Sequence, residues 1–379
     1  MKEIIMKYVV QNAAKYGKAN EKAVMGKVMA ENPELRKRPK EVLELIKRCI
    51  EEFESLDDET KEKLIEEYKE EKKEVKEKGL PPLKNAEKGK VVMRFAPNPN
   101  GAPTLGSVRG IIINGEYARM YNGKFILRFD DTDPRIKRPM VEAYDWYIDD
   151  CKWLGYEPDK IIYASKRIPV YYEYIEKLLK MGRAYPCFCS KEEFKKFRDS
   201  GIECPHRNIS CEKALDIWED MLDGKYKEGE VVIRIKTDMK HKDPAIRDWV
   251  AFRIIYEPHP LVGDSFHVYP TLDFESAIED HLSGVTHIIR GKDLIDSERR
   301  QRYIYDYFSW QYPITKHWGR VKIHEFGKLS TSGIKKEIEA GKYSGWDDPR
   351  LPTLKALRRR GFEAEAIRKF FISLGVGEN

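Results

Sequence analysis

The chain has 379 residues, 41% of them hydrophobic and 11% aromatic, enough for a sizeable core and for two or three folding units of ~150 residues each. With 70 basic against 64 acidic residues and a formal net charge of +6, the composition excludes a chain that coats nucleic acid along its length and leaves a local patch as the way to meet a polyanion. Six cysteines do not make a disulfide framework, no apolar run approaches the ~20 residues of a membrane span, and residues 1–7 lack the apolar stretch of a secretion signal, so a cytoplasmic protein without membrane contact is expected.

In chain order, Ile4, Ile5, Tyr8, Val9 and Ala13 recur at helical spacing, as do Val42, Leu43, Leu45, Ile46, Cys49 and Ile50. Between residues 57 and 78, 17 of 22 residues are charged, with Glu and Lys three or four apart, which predicts a solvated helix. Gly79 and Pro81-Pro82 stop it, and a domain boundary is expected near residue 88. Residues 91–95 form a short β-rich run. A loop with three prolines and Gly101 follows, then a helical stretch over 107–121, an Asn122-Gly123 turn and a second strand over 124–129. Strand, loop, helix, strand predicts a βαβ unit with a parallel sheet. An amphipathic helix is expected over 171–181. Residues 187–270 alternate short strands and helices irregularly. A strand over 285–290, a helix over 297–308, a basic segment from Gly319 and a last helix over 364–374 complete the chain, with no internal repeat.

The first βα loop runs Arg94-Phe95-Ala96-Pro97-Asn98-Pro99-Asn100-Gly101-Ala102-Pro103-Thr104-Leu105-Gly106-Ser107. A loop from a sheet's carboxyl edge into a helix N-terminus suits a nucleotide phosphate. It fits neither common Gly-rich phosphate motif, and a Pro-rich turn with an N-cap at Ser107 explains it equally well. The second strand ends in Arg128-Phe129-Asp130-Asp131-Thr132-Asp133-Pro134. Its carboxylates could hold an ammonium group or a metal, or cap the next segment.

Taken together, these two segments resemble the glutamyl- and glutaminyl-tRNA synthetases, a branch of the class I aminoacyl-tRNA synthetases. The resemblance runs from about residue 90 to the end, through Gly284-Val285-Thr286-His287-Ile288-Ile289-Arg290-Gly291, Lys328-Leu329-Ser330-Thr331-Ser332 and Gly345-Trp346-Asp347-Asp348-Pro349-Arg350. It implies an α/β fold: a Rossmann-like parallel sheet split by an acceptor-binding insertion. The implied boundaries are an N-terminal helical domain like that of archaeal members (1–88), the first catalytic half (89–184), the insertion (185–268), the second half (269–320) and a helical stem-contact segment (321–379). Full-length relatives continue into an anticodon-binding domain, which is expected to be missing here.

The implied activity is glutamate–tRNA ligation: ATP and Mg2+ serve to make glutamyl-adenylate, and the glutamyl group passes to the 3′ end of tRNA for glutamate, with tRNA for glutamine as a further acceptor. Bidentate guanidinium groups suit glutamate's carboxylates, and the resemblance gives Arg94 and Arg290 the side-chain carboxylate and Asp130 the α-ammonium. An arginine at 290 favours glutamate over the neutral amide of glutamine. The resemblance further assigns Ala96, Asn98, Leu272 and Asp273 to the glutamate pocket. It assigns Thr104, Gly106, Ser107, Asp293, Lys328 and Leu329 to ATP, with Lys328, Ser330, Thr104 and Ser107 in catalysis. No protein nucleophile is required, since positioning and charge stabilisation suffice.

The chain departs from the family pattern in three places. The loop's usual histidine tetrad reads Thr104-Leu105-Gly106-Ser107. The second lysine of the signature loop is Thr331, so Lys328, Lys335 or Lys336 would have to meet the leaving pyrophosphate. A pocket tyrosine is matched by Leu272. A glutaminyl-specific enzyme and a catalytically silent tRNA-binding paralogue are the alternatives.

Cys187-x-Cys189, fourteen residues, then Cys204-x-His206 offers four ligands of a tetrahedral zinc set, against buried cysteines and a surface histidine. Some glutamyl-tRNA synthetases bind zinc with this spacing in the insertion, which favours a structural Zn2+. Lys355, Arg358, Arg359 and Arg360 form a basic run suited to phosphates, where the family contacts the tRNA stem; a solvated helix face is the alternative. A monomer is expected.

Overall fold

The protein's structure, a computed structural model, describes residues 1–68, 79–319 and 330–377. The chain separates into two compact units, Met1–Glu77 and Lys78–Asn379.

In the first unit, α1 (Lys2–Tyr16), α2 (Glu21–Glu31), α3 (Pro39–Ser55) and α4 (Asp58–Glu67) enclose a core that includes Ile5, Val9, Val28, Val42, Ile46 and Cys49. Val42, Ile46, Cys49, Ile50 and Phe53 line one face of α3, as the spacing predicts; Leu43 lies off that face and is exposed. Asn20 caps α2 by accepting from the Ala23 N–H, and Asp57 caps α4 by accepting from the Thr60 N–H. No described residue of α4 is buried, in keeping with a solvated helix; residues 69–78 of that prediction lie outside the described residues.

The second unit opens with β1 (Val92–Phe95), α5 (Leu105–Met120), β2 (Lys124–Phe129), α6 (Val141–Trp153), β3 (Lys160–Tyr163) and α7 (Ile168–Lys180). β1 pairs with β2 and β2 with β3, all parallel. The predicted βαβ unit is therefore present. α5 starts two residues earlier than its apolar pattern indicates, at Leu105. It is buried nearly all round, including Gly110 and Asn114, because it packs on the sheet. A Cβ on Gly110 would lie 2.3 Å from the Phe95 ring.

The antiparallel insertion follows: β4 (Ala184–Cys187), α8 (Lys191–Ser200), α9 (Cys211–Leu222), β5 (Val232–Ile235), β6 (Val250–Ile254) and β7 (Val268–Pro270), in sheet order β4-β5-β6-β7. Trp218, Phe252, Tyr269 and Phe274 fill the core beneath it.

The chain returns through α10 (Leu272–Leu282), β8 (His287–Gly291), α11 (Ile295–Tyr307) and β9 (Ile314–Trp318), with β8 and β9 parallel. The Thr286 N–H donates to the Val92 carbonyl at 3.1 Å, and the Val92 N–H donates to Thr286 Oγ1 at 2.9 Å. These bonds bring β8 alongside β1, on the edge that β2 leaves open. The parallel strands then read β3-β2-β1-β8-β9. Connections run one way from β1 and the other way from β8, so a topological switch point lies between them, where ligands bind at the strands' carboxyl ends. Three helices end the chain: α12 (Thr331–Glu339), α13 (Leu354–Arg359) and α14 (Ala364–Leu374). Ile367 and Phe371 of α14 join the core of the parallel sheet. Among the described residues, no helix is long and apolar enough to cross a membrane.

Candidate active site

Two cavities adjoin at this switch point, since Asn100 and Lys137 line both. The larger, ≈ 610 Å3, is walled by Thr104, Gly106 and Ser107, by Gly291 and Asp293 beyond β8, by Trp318, and by Ser330 at the start of α12. The N-cap position of α5 is Thr104, and no side chain caps it; Ser107, one candidate for the cap, sits in the first turn with its hydroxyl 3.4 Å from that of Thr104. An uncapped helix start offers free N–H groups and a positive dipole end, the attributes of a phosphate site.

The loop is clamped from the chain's far end. The Leu105 N–H donates to the Pro352 carbonyl, and the Leu354 N–H to the Pro103 carbonyl. Gly101 abuts Trp346: a Cβ there would fall 2.3 Å from the indole. Arg109, which the motif analysis did not single out, is buried on α5. It donates to the Gly319 and Gly375 carbonyls at 2.8 and 2.7 Å and stacks over Trp318, fixing the cavity's far wall.

The smaller cavity, ≈ 300 Å3, is lined by Ala96, Asn98, Asp130, Arg253, Leu272 and Glu275 among others. Asn98 Nδ2 donates to the Asp130 carbonyl, and the Asp130 N–H to the Pro97 carbonyl, so the loop is stitched to the end of β2. Leu272 remains 43% exposed. Asp273, expected beside it, is not on this wall; its carboxylate accepts from Arg300 Nη1 at 2.6 Å.

Behind the cavity lies a buried charge network. Arg128 donates to both oxygens of Asp130, at 2.6 and 3.3 Å, to Asp280 Oδ1 at 2.6 Å and to the Ser276 hydroxyl at 3.0 Å. Arg94 holds Asp280 through two bonds of 3.1 and 3.3 Å. Burial pushes the Asp280 carboxyl up, but Arg94 and Arg128 outweigh it and hold it at about 2. At Asp130 burial prevails over Arg128 and Arg94, and the carboxyl is raised. The two neighbouring aspartates act locally. Asp131 accepts from Tyr144 and from the N–H and hydroxyl of Ser165. Asp133 closes a turn onto the Arg135 and Ile136 N–H groups and pairs with Arg253.

Arg94 and Arg290 stand on the neighbouring strands β1 and β8, yet neither lines the smaller cavity. Arg290 donates to Gln301 Oε1 at 3.2 Å and to the Tyr312 hydroxyl at 2.9 Å. Its Nε, Gln301 Nε2 and the Tyr305 hydroxyl are buried with no hydrogen-bond partner among the described residues. Buried donors without a partner are uncommon in folded proteins. Lys328 and Leu329 lie outside the described residues. Ser330 caps α12 through the Gly333 N–H, and Lys335 and Lys336 are on α12.

In the insertion, Cys187 closes β4, Cys189 follows it, and Cys204 and His206 lie in the turn after α8. Their ligand atoms all fall within 4.8 Å of one another, the separation a tetrahedral ion would span. Asp248, fully buried with φ 32°, braces this turn by accepting from the Tyr185 hydroxyl and from Arg207 Nε, both at 2.8 Å. Cys211 is exposed and stands apart from the cluster.

The basic run at α13 is partly engaged within the fold. Arg358 pairs with buried Asp150 at 3.0 Å, Arg359 with exposed Asp347 at 3.2 Å, and Lys355 lies over the Trp146 ring. Arg360 lies over Phe362. Arg358, Arg359 and Arg360 are exposed.

Residues 90–379 match the family model described as tRNA synthetases class I (E and Q), catalytic domain. The chain is 77% identical to the glutamate–tRNA ligase of Archaeoglobus fulgidus, aligned over 100% of this chain and 69% of that protein. It is 59% identical to the glutamate–tRNA ligase of Methanothrix thermoacetophila, over 100% and 68%. Among solved structures, a glutamate tRNA ligase from Elizabethkingia meningosepticum, in complex with its amino acid, aligns at 25% identity with a TM-score of 0.48, covering 65% of this chain and 53% of that one. The chain thus spans about two thirds of these curated relatives and about half of that solved structure.

Proposed function

The chain belongs to the class I tRNA synthetases of the glutamate and glutamine branch, and from that premise we propose that it is a glutamate–tRNA ligase: it activates glutamate with ATP and transfers it to the 3′ end of tRNA. The observation that carries the reading is the pair of adjoining cavities at the strand-order reversal, one walled by an uncapped helix N-terminus and the other by buried charge, sharing Asn100 and Lys137. The junction is where the α-phosphorus of ATP and the α-carboxylate of glutamate would meet.

In this reading the first turn of α5 takes the nucleotide phosphates, with Thr104, Gly106 and Ser107 beside them and Asp293 on the opposite wall. The α-carboxylate attacks the α-phosphorus, pyrophosphate leaves, and glutamyl-adenylate forms. A terminal hydroxyl of tRNA then takes the glutamyl group and AMP departs. The protein contributes positioning and positive charge. Lys137 stands at the junction, and Lys328 or an α12 lysine meets the pyrophosphate. Mg2+ arriving with ATP would neutralise phosphate charge. Arg290 and Arg94 would meet the side-chain carboxylate; a neutral amide cannot compensate two guanidinium charges, which favours glutamate over glutamine.

The cluster of Cys187, Cys189, Cys204 and His206 fits a Zn2+ ion with all four ligands from protein, a structural role in the acceptor-binding insertion. The exposed Arg359 and Arg360 are the phosphate contacts we assign to the tRNA stem. We keep the division at 88, 184, 268 and 320, and a cytoplasmic monomer, as part of this reading. Incubation with labelled glutamate, ATP and unfractionated tRNA tests it: acid-precipitable glutamyl-tRNA is expected, and tRNA binding without any charging would contradict it.

A further inference from the structure

Arg94 and Arg128 are buried against aspartates that carry the opposite charge. Arg234, on β5, is buried without one. It is 7% exposed, and no carboxylate pairs with it among the described residues. Its Nη1 donates to the main-chain carbonyl of Asp248 at 3.0 Å. The Asp248 carboxylate is taken by the Tyr185 hydroxyl, the Thr237 N–H and Arg207. The guanidinium carbon lies 3.2 Å from the centroid of the Phe194 ring. A buried cation with no anion beside it is costly.

The neighbouring anion is the thiol cluster. β5 pairs antiparallel with β4, Arg234 opposite Tyr185 and Val232 opposite Cys187. Opposite residues share a face of the sheet, as do residues two apart on a strand. Arg234 and Cys187 are therefore diagonal neighbours on one face. There the guanidinium acts on the Cys187 sulfur by hydrogen bond and by charge, and its charge reaches Cys189. Phe194, beneath the guanidinium, shares a small core with Cys187 and Cys204. Three thiolates and one neutral imidazole around Zn2+ carry a net charge of −1, and one guanidinium brings it to zero.

We propose that Arg234 is a positioning residue of the metal site: its guanidinium neutralises the thiolate-bound ion and orients the Cys187 sulfur, so that metal binding and the burial of this arginine stabilise each other. This rests on the zinc reading above.

The test compares the parent protein with Arg234→Met and Arg234→Lys, each loaded with Zn2+ and each stripped by a chelator under reducing conditions. Affinity for Zn2+ is read by competition with a chromogenic chelator. Arg234→Met keeps an apolar stem over Phe194 and removes the charge, so its affinity should fall roughly ten- to hundredfold, with Arg234→Lys in between. Loaded Arg234→Met should melt below the loaded parent. Stripped Arg234→Met should melt no lower than the stripped parent, because there the arginine has no anion to meet. Equal Zn2+ affinity in all three proteins overturns the assignment. An equal drop in melting with and without Zn2+ also overturns it and assigns Arg234 to packing on Phe194. A parent that binds no Zn2+ would contradict the zinc reading and the proposal with it, whereas a loaded parent beside an unaffected Arg234→Met overturns the role of Arg234 alone.

Discussion

Arg128 and Asp130 stand two residues apart at the end of β2, on the same face of the strand, and are bound side chain to side chain: Nε lies 2.6 Å from Oδ1 and Nη2 3.3 Å from Oδ2. The pair is almost wholly buried, and Arg128 reaches across to Asp280 with its remaining nitrogen. One guanidinium thus bridges the two halves of the parallel sheet's charge network. Arg128→Met would leave Asp130 without its bonded guanidinium, with only the charge of Arg94 nearby, and Asp280 with Arg94 alone. A loss of about 3–5 kcal/mol is expected, read from urea unfolding. Arg128→Lys should recover only part of it, because an ammonium group cannot serve two carboxylates bidentately. Unchanged stability in the methionine variant would contradict the bridging role.

Asp280 gives the acid side of stability a definite sign. Its carboxyl is held at about 2, below the ordinary 3.8. The stabilisation is fully present above the unfolded-state value and drains away as pH falls from about 4 to about 2, an effect of order 2 kcal/mol. Asp280→Asn should flatten the stability curve across that window, whatever it does to the plateau. An identical slope in the variant would refute it.

Asp150 has the opposite sign. Burial lifts its carboxyl to about 6, against the hydrogen bond from Arg358. The native state therefore holds a proton that the unfolded chain releases near pH 4, so this group's contribution weakens as pH rises from about 4 through about 6. Asp150→Asn should remove that decline. Chemical melts at pH 4.5 and 7 compare the two proteins, and a decline that persists in the variant would exclude Asp150 as its source.

Gly101 is where the β1–α5 loop meets Trp346 of the Gly-Trp-Asp-Asp-Pro-Arg segment. A Cβ would stand 2.3 Å from Trp346 and 2.5 Å from Thr331. Gly101→Ala should cost about 1–3 kcal/mol through overpacking and raise the KM for ATP, since the loop and the start of α12 wall the same cavity. Adding Trp346→Leu should return part of both losses. Equal ATP kinetics in Gly101→Ala and parent would show that the clamp does not shape the cavity.

The metal reading predicts about one equivalent of Zn2+ per chain by elemental analysis. Cys204→Ser should lower it, and chelation should lower melting of the second unit reversibly. A well-folded protein that carries no metal and ignores chelators would leave the four residues as a reduced thiol cluster.

The βαβ unit and its loop are legible in the sequence because apolar periodicity, prolines and Asn122-Gly123 act locally. The antiparallel insertion is not. Its strands are three to five residues long, β4 and β7 contain prolines, and the register shifts at Ile233 and Arg234, so no period survives long enough to read. The resemblance singled out Arg94, Arg290 and Asp130 but not their partners, and of the three only Asp130 lines the smaller cavity. Asp280 lies 152 positions from Arg128. Glu275 and Glu279 have the charge of surface residues, and only the structure shows that α10 is buried from Asp273 to Asp280. One signal was available: an Arg-x-Asp pair on a strand places both side chains on one face, which already suggests that Asp130 is engaged before substrate arrives.

The most direct measurement is ATP–pyrophosphate exchange with each amino acid in turn, with and without tRNA. Exchange that requires glutamate, and that glutamine does not support, is the predicted result. Exchange driven by glutamine and not by glutamate, or no exchange with either while tRNA still binds, would contradict it.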